Sequence, residues 1–341
     1  MKFLMPVIIL IFLSCTNNKK TPAGQRIYND SVYQQFWTAD WSADDKYIAV
    51  GGVDSILRIY HANDLELYRS FQMNNWIHSV KWNPKENILA IATLTDYVQL
   101  LDVPTSKFIK VNNSIGPNHL PDGNGSRGIG WNHTGEMLAI GGLDGIIKIW
   151  DKQGNLLKHA EKYDSTKDFI SYVAFDWHPS KNIFVAANFE IQLYDSLCNE
   201  IKTMQHANKE ALILCARWHP SGEFFVIGDY GHNWEGENVP SLLHFWSANG
   251  QLIKSVPGSK GEYRSIDWNP KGDLLATASD VLRIWNKDGT LLHQSEADGS
   301  NYLWGLSWNS DGTKIVTSSR HKTVAIWDNK AKLIKRIDVV D

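Results

Sequence analysis

Few side chains in this sequence could act on a bound molecule, and three of them share one register. His78, Arg127 and Arg264 each stand four residues before a tryptophan, at Trp82, Trp131 and Trp268. Two guanidinium groups can clamp a carboxylate or a phosphate, and an imidazole beside them is the base that a catalytic site would use. A second group of polar residues lies in Asp229 to Pro240, where His232, Glu235 and Glu237 surround Trp234. Histidine and carboxylates that close together bind cations, but this spacing matches no metal motif, and the segment reads as a solvated loop with one packed Trp. No Ser or Cys has a recognisable base beside it, and no inward ring of carboxylates is expected to hold a metal. Neither a catalytic residue nor a cofactor is therefore expected.

The composition limits what can position these groups. The chain has 341 residues, 43% of them apolar and 21% charged, which is the balance of a soluble globular protein. Its 34 Lys and Arg stand against 37 Asp and Glu, so no basic excess marks a nucleic-acid footprint. The abnormal number is 15 Trp, and their spacing has a cause. A phrase of an apolar stretch ending in Trp, a turn and an apolar strand recurs seven times: DWSADDKYIAVGG, KWNPKENILAIAT, GWNHTGEMLAIGG, DWHPSKNIFVAAN, RWHPSGEFFVIGD, DWNPKGDLLATAS and SWNSDGTKIVTSS. The anchors are Trp41, Trp82, Trp131, Trp177, Trp218, Trp268 and Trp308, at spacings of 41, 49, 46, 41, 50 and 40 residues. Each is followed 17 to 28 residues later by an alternating strand ending at Tyr60, Leu101, Trp150, Tyr194, Trp246, Trp285 or Trp327.

These repeats resemble the WD-repeat family of β-propellers over residues 33–341, and Trp150-Asp151 and Trp327-Asp328 are the family's dipeptide itself. The resemblance implies an all-β fold, a seven-bladed propeller of four-stranded antiparallel blades. The ring closes either with seven complete blades or with an outer strand supplied by Arg26 to Tyr28. The chain departs from the family in lacking the Gly-His dipeptide before each first strand. The buried Asp-His-Ser-Trp network is therefore not expected intact, although Asp54, Asp96, Asp144 and Asp280 occupy the expected turn. Blade stability is expected to lean on Trp packing.

Subtracting the residues that the repeat demands leaves Trp37, Trp76, Trp234 and Trp304. The register places all four on the face that carries the loops between blades. In WD-repeat proteins the position four before the anchor opens at the rim of the central channel on that face. Around the ring it reads Trp37, His78, Arg127, Val173, Leu214, Arg264 and Trp304, an arc of Arg, Trp, Trp, His and Arg closed by two aliphatic residues. Trp76 and Tyr302, two positions earlier, extend it. These residue types anchor protein interfaces, so the expected function is a non-catalytic interaction scaffold that docks a protein or peptide, with an acidic one favoured by the arginines. The alternative is an exported propeller enzyme, a hydrolase or lyase, with its site at the channel mouth.

The amino terminus suggests an address. Lys2 precedes an apolar run from Phe3 to Leu13, too short to span a bilayer, and Phe12-Leu13-Ser14-Cys15 resembles the bacterial lipobox. The expectation is a signal peptide over 1–14, lipidation at Cys15, a tether over 15–32 and a monomeric propeller. The chain would be anchored in the cell envelope, or alternatively secreted or periplasmic. Cys198 and Cys215 fall far apart in the repeat register and are expected to be free thiols.

Overall fold

The computed structural model describes residues 35–94, 98–109, 111, 126–142, 145–161, 172–206, 211–234, 237–296 and 302–339. The expected leader, Cys15, the tether, the Arg26 to Tyr28 segment, and Asp96 and Asp144 lie outside the described residues. The described chain forms seven four-stranded antiparallel sheets, each from one continuous stretch and each ordered from inner to outer strand as the chain runs. Blade one is Phe36–Trp41, Tyr47–Gly52, Ile56–His61 and Leu67–Gln72. The other innermost strands are Ile77–Trp82, Ser126–Trp131, Ala174–Trp177, Ile213–Trp218, Ser265–Trp268 and Leu303–Trp308. Each innermost strand packs beside the next, and Leu303–Trp308 returns to Phe36–Trp41, so the ring closes with seven complete blades.

The second strands show why the sequence folds this way. Runs such as Ile48-Ala49-Val50 and Leu89-Ala90-Ile91 are buried throughout, because both faces of each blade are covered by its neighbours. The core is accordingly divided into slabs between blades. The slab at the seam joins Trp41, Ile48, Val50 and Tyr60 of blade one to Val316, Val324 and Ile326 of blade seven. Gly305 matters here, since a Cβ on it would lie 2.3 Å from the Ala39 amide nitrogen, and only a glycine lets the first and last inner strands meet. Across the same seam Lys322 Nζ lies 3.4 Å from Asp54, and the Ser310 amide donates to Asp45 at 2.8 Å.

The anchors also stitch the blades together. Trp82, Trp131, Trp177 and Trp308 donate their indole N–H to the carbonyls of Asp40, Lys81, Gly130 and Asp267 in the preceding blade, at 2.8 to 3.1 Å. Beside them are three inner-strand carboxylates, each engaged by the backbone of the following blade. Asp40 accepts from the Trp82 amide at 2.8 Å and from Lys81, Asp176 from the Trp218 amide at 2.7 Å, and Asp267 from the Trp308 amide at 2.9 Å. Arg217 lies between the last two, its Nη1 2.9 Å from Asp176 and its Nε 2.7 Å from Asp267. The inner strands of blades four, five and six are thereby tied by one guanidinium. Cys198 and Cys215 are free and buried, as expected, and burial raises the Cys198 thiol to about 12.

The turn acids are better satisfied than the missing Gly-His dipeptide suggests. A buried cation two residues before the third strand's aromatic, Tyr60 or Trp285, takes the acid: Arg58 lies 2.6 Å from Asp54, and Arg283 lies 2.7 and 3.0 Å from the two oxygens of Asp280. Beside the Trp packing, these blades thus carry a polar tie of a different composition from the family's network.

Candidate functional site

In every blade the start of the inner strand, the turn between second and third strands, and the connection from the preceding blade share one face, as the antiparallel order requires. The rim positions stand at that end. Five of the seven are set there by the same backbone device. The pairing of first and second strands skips Trp37 between Phe36 and Thr38, His78 between Ile77 and Ser79, Arg127 between Ser126 and Gly128, Leu214 between Ile213 and Cys215, and Trp304 between Leu303 and Gly305. Each is a β-bulge, which releases one residue from the ladder and re-aims its side chain. Val173 and Arg264 precede their strands directly.

The released side chains meet. Trp37 is stacked on His78, with ring centroids 4.7 Å apart and planes 20° from parallel, and on Trp304 at 5.8 Å and 18°. The guanidinium carbon of Arg264 sits 4.3 Å from the centre of the Trp304 ring, a cation–π contact. Trp76 meets Trp37 edge-on at 5.7 Å. Arg264, Trp304, Trp37 and His78 thus form one pile crossing blades six, seven, one and two, and Arg127 follows on blade three. Its charge helps hold the His78 imidazole well below its ordinary value, although burial is the larger cause. Arg127 itself is lowered by burial and then by Arg264.

The hydrogen bonds of the pile are unevenly met. Trp37 Nε1 donates to Gln35 Oε1 at 3.1 Å, and Arg264 is paired with Glu262. His78 Nε2, Arg127 Nε and Trp304 Nε1 are buried without a hydrogen-bond partner among the described residues.

Two expected members stand differently. Among the described residues Tyr302 makes no ring contact with the pile; it has φ +76° and lies over Gly261, where a Cβ would approach its ring to 2.7 Å. Trp234 ends the first strand of a short hairpin, His232–Trp234 with Glu237–Val239, between the second and third strands of blade five. Its side chain, with those of His232, Glu235 and Glu237, lies outside the described residues.

Asp229, read in the sequence as part of that loop, is 1% exposed and belongs to the blade. Its Oδ2 lies 3.1 Å from His244 Nε2 and 3.4 Å from His206 Nε2, its Oδ1 accepts from the Gly231 and Leu242 amides, and His244 Nδ1 meets Ser255 Oγ at 2.7 Å. The three possible ligand atoms of His206, Asp229 and His244 lie within 4.8 Å of one another, an arrangement the sequence reading missed. In the structure the trio is knit by its own hydrogen bonds. Burial alone would raise Asp229, but the bonds from His206, His244 and the Leu242 amide bring it down to about 2. A carboxyl lowered on folding stabilises the fold above its unfolded value and loses that contribution as pH falls through the folded one. The expected result is a loss of about 2 kcal/mol between about pH 4 and pH 2. Acid unfolding followed by circular dichroism checks it: Asp229→Asn should flatten this part of the profile, and an unchanged profile would show that Asp229 is not the group responsible.

A family model described as WD domain, G-beta repeat matches residues 28–61, 118–151 and 289–328. The fold is a seven-bladed propeller, and these segments of it are similar to WD repeats. A second model, eukaryotic translation initiation factor eIF2A, matches residues 173–306, from the start of blade four into blade seven. Among curated proteins the propeller is 26% identical over 239 residues to the human U3 small nucleolar RNA-associated protein 4 homolog, covering 65% of this chain and 33% of that one. It is 24% identical over 188 residues to the rat intraflagellar transport protein 80 homolog, covering 54% and 22%. It is 27% identical over 177 residues to the human F-box-like/WD repeat-containing protein TBL1X, covering 44% and 30%. The chain spans between about a fifth and a third of the length of these relatives. They are eukaryotic proteins, named for intraflagellar transport and for association with a nucleolar RNA, and this does not fit a bacterial lipoprotein. The expected envelope localisation is corrected on that ground: a short apolar leader ending in Ser-Cys is a compositional pattern and specifies no compartment by itself. Among the described residues no helix is long and apolar enough to cross a membrane.

Proposed function

We propose that this propeller is a protein-interaction scaffold that docks a partner protein or peptide at the rim arc of Trp37, Trp76, His78, Arg127, Arg264 and Trp304. The observation that carries the reading is the bulge-set pile itself. Trp304, Trp37 and His78 are lifted out of their ladders by bulges and assembled with Arg264 into one surface across four neighbouring blades, at a cost in unmet hydrogen bonds that folding alone does not require. Trp and Arg at the centre of a patch are the types that dominate binding energy in protein interfaces. The WD-repeat relatives, an intraflagellar transport protein, a nucleolar RNA-associated protein and an F-box-like protein, agree with an interaction role. The rim binds rather than reacts, since its one base, His78, is stacked on Trp37 and weakened by burial and Arg127.

The test replaces both pillars of the pile. Trp37→Ala with Trp304→Ala should reduce affinity for captured partner proteins by at least about tenfold, the effect of losing interface anchors. Leu67→Ala, on the exposed outer strand of blade one, should leave capture unchanged. Quantitative affinity capture with the three proteins measures this, and an unaltered partner set for the double variant would move the interaction surface elsewhere on the ring.

A further inference from the structure

The pile presents one kind of surface. Its ring faces are already occupied, Trp37 by His78 and Trp304, and Trp304 by Arg264, so an incoming group meets ring edges. Aromatic edges carry partial positive charge, whereas faces carry the negative lobe that holds cations. The polar atoms agree. The acceptors within the arc, Gln35 Oε1 and Glu262 Oε1, are used by Trp37 and Arg264, while His78 Nε2, Arg127 Nε and Trp304 Nε1 lack partners among the described residues. Above all, Arg127 has no carboxylate partner among the described residues, although it is partly buried and its charge is disfavoured by Arg264. A partly buried guanidinium beside a second one is costly until an anion reaches it. Among the described residues the arc therefore holds a cation without its counter-charge.

We infer that the rim selects an acidic peptide segment of a partner protein, with a side-chain carboxylate seated on Arg127 and further carboxylates directed toward Arg264 and the ring edges. This rests on the docking role proposed above and adds the chemistry of the partner. The unpaired nitrogens stand on blades seven, two and three rather than around one point, which suits several carboxylates along an extended segment better than one phosphate. Overall attraction would not produce such binding, because the formal net charge is −3.

The probe is an acetylated, amidated hexaglutamate peptide, titrated by calorimetry against the full chain beside its hexaglutamine counterpart. Hexaglutamate should bind, hexaglutamine should not, and affinity should fall as salt rises. Arg127→Gln should weaken hexaglutamate binding by about tenfold, as for loss of a charge-assisted hydrogen bond, and Arg264→Gln by less because Glu262 already shares it. Arg69→Gln, at an exposed arginine of an outer strand, should change nothing. Thermal melts establish that each variant folds. Should Arg127→Gln not fold, Arg127→Lys keeps the charge without the planar fork and should still weaken binding severalfold. Absent binding of hexaglutamate, or equal affinity in the Arg127 variants, overturns the inference. Binding of a phosphoserine peptide through Arg127 with none of hexaglutamate overturns it in favour of a phosphate. If only the peptide result fails while Trp37→Ala with Trp304→Ala still loses its captured partners, the docking surface stands and the acidic chemistry falls.

Discussion

Trp218→Ala is expected to destabilise the propeller by about 3–5 kcal/mol, the range for removing a buried large aromatic and leaving its cavity. Trp218 is 4% exposed and lies in the slab between blades four and five, with its ring centre 4.9 Å from Phe225 and 4.8 Å from His178. Its indole nitrogen has no hydrogen-bond partner among the described residues, unlike those of Trp82 and Trp177, so the loss isolates packing. Chemical denaturation should show a much lower midpoint than for Trp76→Ala, where the ring is partly exposed. Equal midpoints would mean that the slabs between blades do not carry the stability assigned to them.

Arg217→Met should cost a comparable amount through charge rather than volume. Its guanidinium is shared by Asp176 and Asp267, and removing it leaves two enclosed carboxylates without the group that bridges them. Breaking a buried ion pair costs about 3–5 kcal/mol, and the lower end applies because Arg217 retains some contact with water. Burial already raises the Asp176 carboxyl despite Arg217, and without the cation it rises further. A carboxyl raised on folding destabilises the fold where it must ionise, so the deficit should be largest at neutral pH and shrink as pH falls. Denaturation of wild type and variant at several pH values measures this, and adding Asp176→Asn should recover part of the loss. A deficit independent of pH would assign the effect to lost packing of the arginine stem.

The ring was legible because its anchors repeat in type, spacing and context: seven tryptophans, each before a turn and a buried strand, define inner strands without help from the structure. The rim positions followed by counting back from those anchors. What counting could not supply was contact between blades. Trp37 stacks on His78 and Trp304 only because bulges in three separate blades turn the three side chains to a common place. Asp40, Asp176 and Asp267 were visible as the residues before their tryptophans, yet their partners are backbone amides of the following blade. His206, Asp229 and His244 escaped notice because they meet from three segments, and because His206 follows Gln205 where a glycine was sought. The leader illustrates the opposite limit, since an apolar run of the right length implied an address that the eukaryotic relatives do not support.

The bulges at the rim separate two kinds of inheritance in this chain. A residue skipped by the ladder contributes little to the strand pairing that holds its blade, so an exchange there alters what the ring displays while the blade keeps its register. Five such positions, on five of the seven blades, behave as interchangeable characters on a frame maintained by other residues. Divergence could therefore rewrite the recognised partner one blade at a time, with each intermediate still folded. A lineage of such rings would be expected to vary most where the ladder has let go and least at the tryptophans four residues further along.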